Sequence, residues 1–366
     1  MALLFIDGFD AYGSDGQNIT QIMATSGYEC LGSFLSQQSS ANTRTGIGFS
    51  FNSASGLNDT ELPFKTSAGV VVGFAFNGNA SNLQNPEAVG GICQFKYNNL
   101  LGHIYTQMVL AMNLQNGISL LTQDGDLVGA SNPNVLFQNT WQYIEVMYTP
   151  GLGTAGSVQV KVDGAVVINV SGAKTCYSLA AALVNQFEFG GGVNLGGENS
   201  IVSGLQDCLF DDFYLCDQSG TAFNTFLGDC VVHSVFPNAD ATPNMMAQTG
   251  GGAGHYTSID EQSPDGDASY LSTNQAAQKE LFTLGALPTD MIDVLAVGVN
   301  VRARKDAAGT GMYEACMVHG GVEMDGPPVA ASANYITSQT LYAQPPDGGV
   351  WTKAAAQASE IGFVTA

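Results

Sequence analysis

The sequence predicts an all-β protein of two domains, an N-terminal jelly-roll sandwich followed by a smaller C-terminal β-sandwich. Two features of the composition favour this fold class: the 366 residues include 45 glycines, and only 11% of the chain is charged. Short strands joined by tight turns have this composition, whereas helical chains carry more Glu, Lys and Arg. The third observation is that apolar residues recur with a period of two, the spacing of a half-buried strand. A chain of this length is expected to form two hydrophobic cores.

The clearest strands lie between residues 141 and 168. Residues 141–148 alternate between their two faces, and residues 157–162 alternate valine with polar side chains. Asp163 and Gly164 follow directly. An Asp-Gly pair favours a two-residue type I′ hairpin turn, because both of its central residues need positive φ. We therefore predict paired strands here, with a tight hairpin that leads into residues 166–168.

A second hairpin is predicted around Asn116 and Gly117. This pair separates the apolar segment 108–114 from residues 118–121. Asn-Gly is also typical of a type I′ turn, which predicts positive φ at both positions.

The domain boundary is predicted at a polar segment that follows the last strand of the first domain. Residues 217–224 combine Gly, Ser, Gln and Asn, which are typical of a connection between domains. We assign residues 1–217 to the jelly roll, residues 218–224 to a linker, and residues 225–366 to a β-rich anchoring or interaction domain.

The charge of the chain excludes some classes of partner. With 32 acidic and 10 basic residues, its formal net charge is −22. Such a surface repels nucleic acid and anionic membranes. The N-terminus lacks a basic region before its short apolar run, and no segment approaches the ~20 apolar residues of a membrane span. We therefore expect a protein that is assembled in the cytoplasm, without nucleic-acid partners and without membrane insertion.

Motifs for catalysis were sought and not found in the sequence. Jelly-roll glycosidases place carboxylates on one strand face in an E-x-D-x-E pattern, and here Glu145 and Glu188 each stand alone in their strands. The four histidines are widely separated, and no H-E-x-x-H or G-x-S-x-G motif occurs. The sequence therefore predicts a protein that is not an enzyme and requires no cofactor.

Calcium is the metal that the acidic residues favour, because Ca²⁺ prefers carboxylate and carbonyl oxygens. One candidate site is Asp211 and Asp212 near the end of the first domain. Another is Asp124 and Asp126 in a turn, and a third acidic group lies in the loop 260–267. Each group also fits a solvated turn without metal.

Three segments of the first domain resemble laminin-G-like and concanavalin A-like jelly rolls. The pattern from Trp141 to Gly164 is similar to their central hairpin, and residues 210–214 (Phe-Asp-Asp-Phe-Tyr) are similar to their last strand. That strand would pair with the opening strand, which carries residues 5–9 (Phe-Ile-Asp-Gly-Phe). The resemblance covers about residues 1–217 and implies a jelly roll for this part of the chain.

The whole chain also resembles a group of structural proteins from tailed-phage and prophage virions. The residues that carry this resemblance are 4–10, 210–214, 226–229, 259–261 with Asp267, 270–272 and 301–304. It implies a virion protein of the tail, baseplate or fibre apparatus with a role in host attachment, whose partners are other virion proteins and copies of itself. Two alternatives remain open: a capsid decoration (cement) protein, and a carbohydrate-binding module that recognises host surface glycans.

Overall fold

The computed structural model shows a nearly all-β chain, which confirms the predicted fold class. It describes residues 2–12, 19–30, 35–38, 44, 46, 48–51, 60–78, 89–99, 101–194, 201–205, 208–306 and 308–366. The chain forms two compact units. The N-terminal unit comprises 1–9, 14–24 and 28–232, and the C-terminal unit comprises 10–13, 25–27 and 233–366.

The N-terminal unit is built from two large sheets. Its strands are β1 (Leu3–Asp7), β2 (Glu29–Cys30), β3 (Leu35–Gln38), β4 (Gly48–Phe51), β5 (Thr60–Ser67), β6 (Val70–Asn77), β7 (Val89–Asn98), β8 (Ile104–Asn113), β9 (Ile118–Leu121), β10 (Leu127–Ala130), β11 (Gln142–Thr149), β12 (Gly156–Val162), β13 (Ala165–Ala173), β14 (Val184–Phe189), β15 (Val193–Asn194), β16 (Ile201–Gly204) and β17 (Cys208–Asp217). A 3₁₀ turn (Asp10–Tyr12) and helix α1 (Ile19–Thr25) lie between β1 and β2.

The strand order of each sheet shows how distant parts of the chain meet. Sheet A has the order β13-β12-β11-β6-β17-β4-β3, and β1 also pairs with β17, as the resemblance to jelly rolls implied. Sheet B has the order β10-β9-β8-β7-β14-β5-β2, with β16 parallel to β7 and β15 on β16. All other pairings between described strands are antiparallel, and some neighbours, such as β6 and β17, come from remote segments.

Aromatic side chains join the two sheets. Phe187 of β14 lies 5.2 Å from Phe213 of β17 and 6.2 Å from Phe74 of β6, measured between ring centroids. All three rings are fully buried. Because successive side chains of a strand point to opposite faces, the neighbours of Phe187 in β14 lie on the outer face of sheet B.

The predicted hairpin at Asp163 and Gly164 is confirmed. β12 and β13 pair with Val162 opposite Ala165, and β11 pairs with β12 along its length. Asp163 has φ 49° and Gly164 has φ 78°, as a type I′ turn requires.

The hairpin at Asn116 and Gly117 forms with a different turn. β8 ends at Asn113 and β9 begins at Ile118, so four residues connect them. Asn116 has φ 56°, but Gly117 does not have positive φ. The side chain of Asn113 explains the wider loop, because its Oδ1 accepts hydrogen bonds from Gln115 N and Gly117 N, both at 3.0 Å. The predicted two-residue type I′ turn is therefore wrong here, although the hairpin itself is confirmed.

The C-terminal unit is also β-rich. Its elements are β18 (Pro237–Asn244), β19 (Ala247–Thr249), a 3₁₀ turn (His255–Ser258), β20 (Tyr270–Ser272), β21 (Lys279–Leu284), β22 (Val297–Ala303), β23 (Met312–His319), β24 (Val322–Asp325), β25 (Val329–Ala330), β26 (Ile336–Tyr342), α2 (Lys353–Gln357) and β27 (Glu360–Thr365). Sheet C has the order β18-β21-β27-β23-β24, with β25 on β23. The two-stranded sheet β22-β26 packs on it through a core that includes Val299, Met317 and Trp351.

The division between the units falls after Val232, beyond the segment 218–224 predicted as a linker. The reason is that residues 226–232 are bound to the N-terminal unit. Glu145 accepts a hydrogen bond from Gly228 N at 2.8 Å, and Asp212 accepts one from Val232 N at 2.8 Å. Within the described ranges, no helix is both long enough and apolar enough to cross a membrane.

Candidate functional site

Polar side chains cross the outer face of sheet B on four neighbouring strands. Glu29 of β2 pairs with Glu61 of β5, Glu61 with Glu188 of β14, and Glu188 with Gln94 of β7. On the adjacent rung, Gln186 of β14 pairs with Lys96 of β7. We call this set the polar row: Glu29, Glu61, Gln94, Lys96, Gln186 and Glu188.

The local sequence explains why these side chains point away from the core. Segments 94–96 and 186–188 both place a phenylalanine between two polar residues. Phe95 and Phe187 contact each other at 5.6 Å in the core between the sheets. The flanking polar residues must therefore project from the opposite face of the same strands.

Lys96 is the cationic centre of the polar row. Its Nζ lies 2.7 Å from Glu61 Oε1 and also forms an ion pair with Glu188 Oε2. The side chains of Lys96, Glu61 and Glu188 are 9%, 2% and 0% exposed. Burial by itself lowers the pKa of Lys96, but Glu188 and Glu61 outweigh burial, so that its pKa is raised. Lys96 is therefore an ammonium that neutralises part of a buried carboxylate pair.

Amide side chains extend this network on both sides. Gln94 Nε2 donates to Glu188 Oε1 at 3.1 Å, and Thr106 Oγ1 donates to Gln94 Oε1 at 3.2 Å. On the other side, Gln186 Nε2 donates to Glu61 Oε2. This contact fixes the orientation of the Gln186 amide, because the reverse orientation would bring two acceptor oxygens together.

The backbone at Gly191 covers one end of the network. Gly191 has φ 81°, and a Cβ at this position would overlap the carboxylate of Glu188 and the amide of Gln94. Glycine is thus required here both for its backbone conformation and for its lack of a side chain.

A cavity of about 260 Å³ adjoins the other end of the polar row. Its apolar wall is provided by Pro63 and Phe64, and the remaining lining residues are Glu29, Asn98, Asn99, Asn185 and Gln186. Gln186 is 2% exposed, and its Oε1 has no hydrogen-bond partner in the described part of the chain. The cavity thus combines an apolar wall with several hydrogen-bonding groups, as small-ligand sites do.

The structure places the predicted calcium ligands Asp211 and Asp212 elsewhere, in β17 of sheet A. Both are fully buried. Asp211 Oδ1 accepts a hydrogen bond from Asp212 N at 2.8 Å, and Asp212 Oδ2 lies 3.4 Å from Arg44 Nη1. The other oxygen, Asp212 Oδ1, accepts the hydrogen bond from Val232 N, so Asp212 attaches segment 226–232 to sheet A.

The other predicted pair, Asp124 and Asp126, shares a lysine. Lys174 Nζ lies 2.6 Å from Asp124 Oδ2 and 2.7 Å from Asp126 Oδ2. Burial alone would raise the pKa of Asp124, but the hydrogen bonds from Lys174 and Ser178 lower it. The described ranges contain no group of three or more His, Cys, Asp or Glu side chains that could hold a metal. Calcium binding at these four aspartates stays a prediction.

Sequence reasoning missed the polar row. Glu188 was interpreted as isolated because its partners Glu61 and Lys96 lie far away along the chain. A usable signal was present: residues 96 and 188 are charged and stand next to phenylalanines in strands whose other face is apolar. A charge in such a strand is expected to be paired or functional.

No protein-family model matches the chain, and no curated protein matches it. Several solved structures do. A variant of the alginate lyase Aly36B in complex with alginate trisaccharide is 11% identical, with 58% of this chain and 98% of that chain covered and a TM-score of 0.39. A carbohydrate esterase from the Shiga toxin-encoding bacteriophage phi24B is 10% identical, with coverage of 59% and 100% and a TM-score of 0.35. The carbohydrate-recognition domain of Emp46p is 7% identical, with coverage of 58% and 95% and a TM-score of 0.34.

At these identities the similarity concerns the β-sandwich fold alone. The prediction that the chain is not an enzyme is withdrawn, since a lyase and an esterase are among the matched structures; at these TM-scores they assign no activity to the chain. That prediction was based on motifs in which the catalytic residues are close in sequence. The polar row shows that sheet pairing brings carboxylates together without any such motif.

Proposed function

We propose that the N-terminal unit binds a glycan in the cavity that adjoins the polar row. The observation that carries this proposal is the buried acceptor Gln186 Oε1 beside a cavity with one apolar wall and several amide and carboxylate groups. Sugars present hydroxyl groups around an apolar C–H face. Phe64 and Pro63 offer a surface for that face, and the polar groups offer partners for the hydroxyls.

The test is a glycan array followed by titration calorimetry on the glycans that bind. Gln186→Leu removes the buried acceptor, and Asn98→Ala changes the cavity wall without touching the Lys96 network. We expect each variant to weaken binding roughly tenfold or more, the size of one lost buried hydrogen bond. Gln159→Leu is the matched control, because Gln159 lies half-buried on β12 of the other sheet. Absence of any glycan ligand, or wild-type affinity in both variants, would reject the proposal.

Cleavage of the bound glycan is a second candidate function. It is favoured by the position of Glu61 directly opposite Glu188 on neighbouring strands. Retaining glycosidases use two carboxyl groups about 5–5.5 Å apart, one of them protonated as the acid. Because Lys96 binds both carboxylates and both are at most 2% exposed, cleavage also requires that the ammonium be displaced from one of them and that the glycan gain access to the pair. Release of new reducing ends by the wild type, and its loss in Glu188→Gln with binding retained, would establish this activity.

Membership in a phage virion remains a prediction from the sequence, and we propose it as the biological setting of glycan binding. A tail or fibre position would give this site a role in attachment to host surface glycans. Mass spectrometry of purified particles tests the setting directly, because absence of the chain from intact virions would reject it. Its copy number per particle would distinguish a tail component from a capsid decoration protein.

A further inference from the structure

The polar row carries an excess of negative charge. Its carboxylates are Glu29, Glu61 and Glu188, against the single ammonium of Lys96, which is bound to Glu61 and Glu188. In the described structure, no lysine or arginine lies within ion-pair distance of Glu29, and none lines the cavity. The whole chain has a formal net charge of −22. An anionic sugar such as a uronate is therefore repelled here, whereas a cation is attracted.

The amide side chains that line the cavity are neutral, so Glu29 determines its charge preference. Gln186 donates one N–H to Glu61, and its Oε1 is buried without a partner in the described part of the chain. Asn185 is already used: its Oδ1 accepts from Asn98 N at 2.8 Å, and its Nδ2 donates to Asn98 O at 2.8 Å. The oxygen of Asn99 accepts from two backbone amides. The side-chain amides of Asn98 and Asn99 can still donate, and Glu29 is the one charged residue among the described residues that line the cavity.

An ammonium group complements Glu29, because it has a positive charge and three donors. A hydroxyl group is neutral and offers only one donor. The cavity of about 260 Å³ is below the ~300–1,000 Å³ of pockets for drug-sized ligands, so it suits one sugar unit of a longer chain.

We propose that the ligand is a cationic amino sugar, a polymer of 2-amino-2-deoxyhexose units with free amines, whose ammonium binds Glu29 at the cavity. The inference rests on the proposed glycan binding. It adds the substrate class: a basic polysaccharide rather than a neutral or uronate-containing one.

The experiment compares four probes by titration calorimetry at about pH 5.5, where alkyl amines are protonated. The probes are hexamers of β-1,4-linked glucosamine, N-acetylglucosamine, glucose and galacturonate. We expect the glucosamine hexamer to bind roughly tenfold or more tightly than its acetylated counterpart, and its affinity alone to fall as salt is raised. The galacturonate hexamer should not bind.

Glu29→Gln identifies the contact. This exposed side chain can be neutralised without disturbing the core, and we expect roughly fivefold or greater loss of affinity for the glucosamine hexamer. Asp126→Asn removes the same charge from the same unit away from the cavity, and should leave that affinity unchanged.

The outcomes distinguish failure of the amino-sugar assignment from failure of the proposed glycan binding. Equal or tighter binding of a neutral, acetylated or uronate hexamer would overturn the amino-sugar assignment while glycan binding stands. The assignment is equally overturned if Glu29→Gln and Asp126→Asn behave alike. If no probe and no array glycan binds, both proposals are rejected.

Discussion

Replacement of Lys96 by methionine tests whether the polar row is held together by charge. Methionine keeps most of the length of the side chain and removes the ammonium that Glu61 and Glu188 share. Both carboxylates are at most 2% exposed, so water cannot take over the role of Lys96. Removal of one partner from a buried ion pair typically costs about 3–5 kcal/mol of the free energy of unfolding.

The assay is urea unfolding followed by tryptophan fluorescence. The chain has two tryptophans, Trp141 in the N-terminal unit and Trp351 in the C-terminal unit, so a Trp351→Phe background reports on the N-terminal unit alone. We expect the unfolding midpoint of Lys96→Met to fall by more than about 1 M urea. Lys65→Met is the matched control, because Lys65 is exposed on β5 of the same sheet, and should shift the midpoint by little.

The pH dependence gives an independent check. The pKa of Lys96 is raised in the folded protein, so its contribution to stability is complete below its ordinary pKa of about 10.4 and is lost as the pH rises through the folded value. The difference between wild type and Lys96→Met should therefore shrink at strongly alkaline pH. It should also shrink toward about pH 4, because protonation of the unpaired carboxylates in the variant relieves their repulsion.

A triple variant identifies the cause of the loss. Lys96→Met combined with Glu61→Gln and Glu188→Gln removes all three charges and should recover most of the stability, because no unpaired charge stays buried. The reasoning is refuted if Lys96→Met is no worse than Lys65→Met, or if the triple variant is less stable than Lys96→Met alone.

Three further predictions concern the N-terminal unit and the thiols. Glu145→Leu leaves the buried Tyr214 hydroxyl and the half-buried Gly228 N–H without their acceptor and should cost about 1–3 kcal/mol. Amide hydrogen exchange should become faster only in residues 226–232, and unchanged exchange there would contradict the role given to Glu145. Gly164→Ala should cost about 1 kcal/mol by chemical denaturation, because φ is 78° at this position; no atom lies near enough for a clash, so the cost comes from the backbone alone. Gly252→Ala is the control, at a position without positive φ, and should be nearly neutral. At about pH 8 an aromatic disulfide reagent should modify at most two of the seven thiols before unfolding, because five of them are buried. Cys230 should also react slowly, because burial and the nearby Glu145 raise its pKa to about 12. Rapid reaction of a third thiol would show that the core opens.

Local features of the fold were predictable because their causes are local. Asp163 and Gly164 carry their conformational preference in their own chemistry, and the alternation of residues 157–162 fixes which side chains are buried. The turn at Asn116 shows where such rules stop. There the side chain of Asn113, three residues away, takes up Gly117 N and widens the loop.

The acidic residues show the same limit at the level of sites. Asp211 and Asp212 are adjacent in sequence and were predicted as calcium ligands. The strand is irregular at this point, since its register with β6 shifts after Asp211 and Asp212 has φ 52°. The bend directs Asp212 toward Val232 N rather than toward solvent. A pair of carboxylates in sequence therefore cannot distinguish a metal site from an attachment point for backbone.

Glu188 was interpreted as isolated although it is paired, and the cause is the way in which a sandwich is built. Glu188 meets Glu61 only because β14 inserts between β5 and β7, which are remote from it in sequence. What fixes this insertion is the other face of β14, where Phe187 packs between Phe74 and Phe213. A one-residue slip of β14 would expose Phe187 and bury Glu188 against the core, so the aromatic packing strongly selects the register. The same packing thus determines which carboxylates meet at the polar row, and the site could be predicted only after the strand order of the sheet was known.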